Sequence, residues 1–464
     1  MAKEIEIPQD VESLVKLVKE LLKKVEQLEA ENADLKRQLG MNSQNSHKPP
    51  SSDTYKKPKK SKSQLPKELK SVGGQVGHIG KTLEQVSEPD YVKLHVPKRC
   101  SCCKRRFKAK EIKYIEKRQV FDLPPARLDV TEHRLGSVDC CGMTHKGSFP
   151  VTVKGRVQYG AGVKAYTTML SVDYRMPLER ITLLFADRYG YNINSGTILK
   201  NLKEAYELLD PTEQSIKMKL LEQYVLHFDE TTLRCEKGKL WLHTASTSEL
   251  TYLFLHKSRG MKALSSAASI IKDFTGAAVH DCLPAYFKFD NCRHLLCGAH
   301  LLRELRALIE ADSKWAKSMF NFLIKRYHDY KEGNTLTEAL KQKYLKRYQT
   351  ILRQADKQEP LPSQGPKGRP KKSKGRCLYD RLKKHQDGVL AFAFEENIPF
   401  TNNQAERDIR PAKVKQKISG LFRTRKGADY YVRIQAIIST LRKQSLNVFN
   451  ELLKTFDQSR VLTF

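Results

Sequence analysis

The sequence predicts an α/β protein carrying two small N-terminal appendages, and three observations lead there. Short apolar strand-like runs alternate with a helical pattern between residues 223 and 300. Ahead of them lies a cysteine-rich module, and ahead of that an apolar repeat with a period of seven residues.

In the α/β region, Tyr224-Val-Leu-His-Phe-Asp229 reads as a strand ending in an acid. Two further strands are expected at 239–245 and 251–256, then a helix over 261–274, then Ala277-Ala-Val-His-Asp281, a strand again ending in an acid. Acids at strand ends of such sheets point into the crevice where ligands bind. Converging carboxylates hold divalent metals, because hard cations prefer oxygen ligands and anions must separate two like-charged ions. The same pattern is equally met by aspartates that cap turns or helices. Trp241, inside the second strand, is expected in the core.

Composition points to the partner. The chain has 464 residues, room for two to four domains at about 150 residues each. Lys and Arg number 84 against 52 acids, a formal charge of +32, which favours a polyanion such as DNA or RNA through counterion release. A membrane surface is disfavoured: no stretch of about 18 apolar residues and no signal region after Met1 is found, so a soluble, intracellular protein is expected. Ten clustered cysteines fit a reducing compartment with a metal site better than a disulfide framework.

At the N-terminus (8–40), Val11, Val18, Val25, Asn32 and Leu39 alternate with Leu14, Leu21, Leu28 and Leu35 as a and d positions of heptads. Val at a, Leu at d and one Asn at a favour a parallel two-stranded coiled coil, so a homodimer is expected. Residues 41–72 carry eight lysines against two acids among Ser and Pro, the mark of a solvated linker.

The module at 73–150 offers two halves of a zinc site. Cys100 and Cys103 form a C-x-x-C pair; the second half is Asp139-Cys-Cys-Gly-Met-Thr-His145. Adjacent cysteines do not readily share one ion, so Cys141 with His145 is the expected second pair and Cys140 the alternate ligand. Between the halves, 116–120 and 128–133 alternate like strands. Residues 151–222 read as a helical domain with helices at 166–173, 178–189 and 195–209, the last N-capped by Ser195.

A third acid, Glu406, stands 125 positions beyond Asp281. The interval holds helices at 301–356 and a basic stretch at 360–376, six basic residues with no acid. There Lys367-Gly-Arg369-Pro-Lys371-Lys resembles an Arg-Pro arm laid in the minor groove of AT-rich DNA, and is also read as a flexible basic loop. Glu406 lies early in a helix with Asn402 or Asn403 as N-cap, where the dipole favours an acid. If that helix continues through Pro411, then Arg410, Lys413 and Lys417 share a face with Glu406, and Arg407 is next to it.

Together these strings resemble the DDE transposases of the insertion-sequence-sixty-six type. The resemblance rests on the zipper-like start, Gly74-Gln-Val-Gly-His78, the cysteine module, His227-Phe-Asp-Glu-Thr-Thr232, Val279-His-Asp281, Cys297-Gly-Ala-His300-Leu-Leu-Arg-Glu-Leu305 and Asn402-Asn-Gln-Ala-Glu-Arg-Asp-Ile-Arg-Pro411. It departs at Val76, where the family often has Pro, and at the compressed Cys140–Cys141 pair. It implies a ribonuclease-H-like catalytic core interrupted by a helical insertion: core at 223–300, insertion at 301–376, and core again at 377–464. It implies Asp229, Asp281 and Glu406 as the catalytic, Mg²⁺- or Mn²⁺-binding triad. It also singles out Cys297 and His300, with His294 nearby, as a second zinc site or, more ordinarily, a partly buried thiol and a hydrogen-bonded or DNA-facing imidazole. The expected activity is cleavage at transposon ends and strand transfer into target DNA, with DNA and accessory proteins of the element as partners, in the bacterial cytoplasm at the nucleoid. Arg407, Arg410, Lys413, Lys417, Arg369 and Lys371 are the expected DNA contacts, and a structural Zn²⁺ completes the cofactors. The rival readings are a zipper-plus-zinc DNA-binding regulator with an inert core, and a ribonuclease-H-like nuclease that cuts without joining.

Overall fold

The computed structural model describes residues 10–39, 83–108, 110, 116–236, 238–333, 336–361, 372–458, 462 and 464. The basic linker at 41–72, the Gly74–His78 string and the arm bearing Arg369 and Lys371 lie outside the described residues.

The heptad segment is one helix, α1 (Val11–Leu39). The Asp10 carboxylate accepts the Ser13 N–H at 2.8 Å and so starts it. Val11, Val18, Leu21, Val25 and Leu28 are all exposed along it. In the cysteine module, β1 (Ser137–Cys140) and β2 (Met143–Lys146) form a hairpin. Its two-residue turn, Cys141-Gly142, has φ of 54° and 76°, the left-handed pair whose twist matches that of the flanking strands. The strands expected at 116–120 and 128–133 do not form; both stretches run without strand pairing. At the first of them a side chain takes the place of a partner strand: Gln119 accepts the Val86 N–H and donates to the Val86 carbonyl, both at 2.8 Å.

Four helices follow: α2 (Ala161–Val172), α3 (Leu178–Tyr189), α4 (Ser195–Leu208) and α5 (Asp210–Leu221). Gly190, at φ 71°, ends α3 in the left-handed conformation that glycine adopts without strain. Asn194, not Ser195, caps α4, accepting the Gly196 N–H at 2.7 Å. Ile181, Phe185, Ile193, Ile198 and Leu170 pack together, which makes this region a helical bundle.

The sheet comprises β3 (Val225–Cys235), β4 (Gly238–Ser246), β5 (Thr251–His256), β6 (Ala277–His280) and β7 (Arg293–Leu296), in the order β5-β4-β3-β6-β7. The first three form an antiparallel meander; β6 and β7 run parallel to β3. The fold is therefore mixed α/β with a mixed sheet. Asp229 is not the end of its strand, because β3 continues to Cys235 on β4 after β6 has stopped at His280. The helix expected at 261–274 is a single turn, α6 (Met261–Leu264). The serines after it explain the stop, since the Ser266 hydroxyl bonds back to the Ala263 carbonyl and competes with helix continuation.

The chain then runs through α7 (Gly298–Ile309), α8 (Lys314–Lys331), α9 (Glu338–Gln358), α10 (Lys374–Lys384), α11 (Gln386–Phe394), α12 (Asn403–Ser419), α13 (Arg425–Lys443) and α14 (Val448–Phe456). Two cores sandwich the sheet. Leu226, Phe228 and Ala278 pack with α13 and α14, while Ala277, Val279 and Leu295 pack with α7, α8 and α11. Successive residues of one strand point to opposite faces, so burial on both faces explains the unbroken apolar run Ala277-Ala-Val279. Among the described residues no helix is long and apolar enough to cross a membrane.

Candidate active site

Parallel pairing of β3 with β6 sets Val225 against Ala277 and His227 against Val279. Continued by two residues, that register stands Asp229 level with Asp281, just past the point where β6 ends. The third acid arrives through a latch. Asn402 is completely buried at the N-cap of α12, yet its side chain caps nothing. Its Nδ2 donates to the Phe228 carbonyl at 2.6 Å, and its Oδ1 lies 2.9 Å from His227 Nδ1. Its backbone N–H donates to Cys297 Sγ at 3.1 Å. Glu406, one turn into α12, is thereby carried to the strand bearing Asp229. The close approach also explains the Cys297-Gly298 step: Gly298 N–H donates to the Phe400 carbonyl at 2.8 Å, and a Cβ at Gly298 would overlap the Phe400 ring.

Electrostatics places the acids in one neighbourhood. The Asp229 carboxyl is pushed well above its usual range, first by burial, then by Glu230 and Asp281, with Glu406 adding to the shift. The Glu230 N–H bonds Asp229 Oδ1 at 2.9 Å and opposes it. Glu230, a fourth carboxylate that sequence reasoning passed over, rises to about 7, mainly through burial and then through Asp281. Its Oε1 accepts from Arg259 Nε and its Oε2 from the Tyr286 hydroxyl, each at 2.8 Å. Arg259 also reaches Asp281 at 3.6 Å, and Arg303 of α7 lies 3.5 Å from Glu406. Trp241 is half-buried with Arg259 over its ring at 5.2 Å, so it borders the site and is not a core residue as expected.

The donor set suits a hard divalent cation: it is all oxygen, and its members repel one another in a way a cation would relieve. Arginines occupy part of that role here, and among the described residues no three His, Cys, Asp or Glu side chains converge as a ligand cluster. Raised carboxyl pKa values make a stability prediction. Glu230 favours folding fully below its ordinary value of 4.5, and that contribution is lost as pH rises through about 7. Thermal midpoints of the cation-free protein are therefore expected to fall across that window. Glu230→Gln should flatten the profile, and an unchanged slope would refute the assignment.

Of the expected DNA contacts, Arg407, Arg410 and Lys417 are exposed on α12, which does run through Pro411. Lys413 turns inward instead, donating to the Thr232 carbonyl at 2.6 Å. Cys297 is a fully buried thiol whose pKa rises to about 11, chiefly through burial, and it accepts the Asn402 N–H. His294 is engaged elsewhere. The Cys282 N–H occupies His280 Nδ1 at 3.2 Å, which leaves the proton on His280 Nε2 for His294 Nδ1 at 3.0 Å; His294 Nε2 then donates to the Phe289 carbonyl. Cys297 is thus fully buried, not partly buried as expected, and both His294 nitrogens have other partners. In the cysteine module, hydrogen bonds from the Cys103 backbone, then the Cys102 backbone and the Cys103 side chain, lower the Cys100 pKa, and the Cys140 and Cys141 sulfurs lie 3.5 Å apart. The register sets His145 opposite Val138, and the two halves and His145 are not gathered into one cluster.

Comparison with known families decides the class. The model described as "Transposase IS66 family" matches residues 156–430, more than half of the chain, including Asp229, Asp281 and Glu406. The chain belongs to the IS66 transposase family. The zinc-finger binding domain of transposase IS66 matches residues 97–142, a span that holds Cys100, Cys103, Cys140 and Cys141 and excludes His145. A family of unknown function matches residues 2–84. No curated protein matches. This IS66 transposase is thus a DNA transposase of insertion-sequence type, an enzyme acting on DNA, with a zinc-finger domain that fits DNA binding and supports a structural Zn²⁺. A divalent metal is implied by the same membership.

Proposed function

We propose that this transposase cleaves transposon ends and joins them to target DNA through a DDE site made of Asp229, Asp281 and Glu406 in a ribonuclease-H-like core. One observation carries the reading: the β3–β6 register stands Asp229 level with Asp281, and the Asn402 bond to the Phe228 carbonyl ties the head of α12, which bears Glu406, to the strand of Asp229. The strand order β5-β4-β3-β6-β7, an antiparallel meander followed by two parallel strands, supports the core assignment, and residues 301–376, which hold α8, α9 and most of α7, form its helical insertion. The three carboxylates hold Mg²⁺ or Mn²⁺. Such cations, when bound, activate the attacking water or hydroxyl and stabilise the leaving oxygen. Asn402 fixes the distance between Asp229 and Glu406, Arg303 supplies positive charge beside Glu406 for the scissile phosphate, and Trp241 with Arg259 walls the site. No protein nucleophile is needed. Metal-dependent cutting of an end duplex, followed by joining of a pre-nicked end, is the expected result. No cutting would favour the regulator, and cutting without joining the nuclease.

The domain limits given above stand as part of this proposal, with dimerisation through α1. Exposed Val11, Val18, Leu21, Val25 and Leu28 support it, since an apolar stripe on a lone helix calls for a partner. Zinc is held by Cys100 and Cys103 with ligands from the second half. The span of the zinc-finger match favours Cys140 or Cys141 over His145 for at least one of them. The purified protein is expected to hold one zinc per chain. Cys100→Ser should abolish it, and His145→Ala distinguishes the sets: retained zinc removes His145 from the ligands. Soluble placement at the bacterial nucleoid, with accessory proteins of the element, completes the reading.

A further inference from the structure

Helices α8 and α9 line an open cavity of about 370 Å³ that no part of the catalytic reading uses. Lys325, Lys343 and Arg347 line it, with no acid in the lining, and Ser318 and Asn321 add neutral donors. The fourth cation, Arg326, is of a different kind. Its side chain is only 6% exposed, and its guanidinium lies 3.5 Å from the centroid of the Tyr344 ring. Nη2 pairs with Asp329 at 2.9 Å, whose carboxylate also accepts the Tyr344 hydroxyl at 3.1 Å. Nε and Nη1 are buried with no hydrogen-bond partner. A buried charged group with two unsatisfied donors is costly and calls for an explanation, of which a bound anion is one. Burial presses its pKa down, as expected of a cation short of counter-charge.

We infer that this cavity is a phosphate-binding site for the DNA backbone, distinct from the acidic site. Tyr344 and Asp329 hold the guanidinium plane, and Nε and Nη1, on different edges of it, are left as single donors for phosphate oxygens. Lys325, Lys343 and Arg347 add the charge that draws a polyanion in. Asp329 neutralises one of the four cations and leaves the excess positive. Helix α8 packs against α7, which carries Arg303 beside Glu406, so the cavity belongs to the helical body flanking the acids. The inference rests on DNA as the partner and not on the triad, so the two fail separately.

The test uses the full chain with a random-sequence duplex, and inorganic phosphate alone as the second probe. Hydrogen exchange in 318–326 and 343–347 should slow with duplex and change little with phosphate. The combined Lys325→Gln, Lys343→Gln and Arg347→Gln variant should lose that protection. Its plot of log affinity against log salt should flatten by about 0.9 for each DNA phosphate that is no longer neutralised. Arg326→Met keeps the aliphatic stem against Tyr344, removes the donors and is expected to do the same. Should that variant not fold, the glutamine variant decides alone. Protection by duplex that survives the glutamine variant, or no protection at all, overturns the inference. Protection by phosphate but not by duplex assigns the cavity to a free anion and overturns the DNA assignment.

Discussion

Asp229→Asn is expected to lower end cleavage by about 10³-fold or more while leaving DNA binding intact and the fold no less stable. The first expectation follows from the chemistry of carboxylates that hold cations. Losing several kcal/mol of charge stabilisation at the reacting phosphate corresponds to about tenfold per 1.36 kcal/mol. The second follows from the electrostatics. Asp229 is half-buried, and desolvation together with the charges of Glu230, Asp281 and Glu406 raises its pKa, so its ionised form strains the cation-free fold. The amide cannot ionise, and Asn keeps an Oδ1 acceptor for the Glu230 N–H. A thermal midpoint equal to or above that of the parent, measured without divalent cations, should accompany the loss of cleavage. Divalent cations should raise the midpoint of the parent and not that of the variant. Lost binding together with lost cleavage would instead make Asp229 a structural residue.

Much of this site is legible in the sequence, and the reason is that its acids lie in strings with strong local signals. Strand β5 matches its expected limits residue for residue and β4 to within one at each end, because β-branched and aromatic runs between turns mark strands well. Helix α3 also matches at both ends, since Pro177 and Gly190 bracket it. What escapes a sequence reading is set by tertiary packing. Nothing local shows that β3 outlasts β6, because only β4 supplies the partner that continues it. Nothing local separates Trp241 from a core tryptophan, since its exposure depends on Arg259 crossing it from another loop. Lys413 sits on the expected helix, but one carbonyl of β3 takes it from the outward face. Glu230 carries a usable signal: a second acid directly after Asp229, in a strand buried on both faces, needs an explanation.

Asn402→Ala is expected to cost about 1–3 kcal/mol in stability and to slow cleavage by more than that loss of folded protein explains. The amide bridges two segments 174 residues apart, and its removal leaves the Phe228 carbonyl without that donor in a buried place. Helix α12 remains, because its N-cap gets no side-chain hydrogen bond from Asn402 in the first place. What the variant loses is the tie between the strand of Asp229 and the helix of Glu406. Loose positioning raises the cation concentration needed for half-maximal cleavage, and a merely structural role would not move that number. Asn402→Asp sharpens the test: the carboxylate can still accept from His227 but cannot donate to the Phe228 carbonyl, and it adds negative charge under the acids. It should therefore be less stable than the alanine variant without divalent cations, and recover more when they are added. If both variants cleave with the parent's cation dependence once corrected for folded protein, Asn402 only packs, and the distance between Asp229 and Glu406 is set elsewhere.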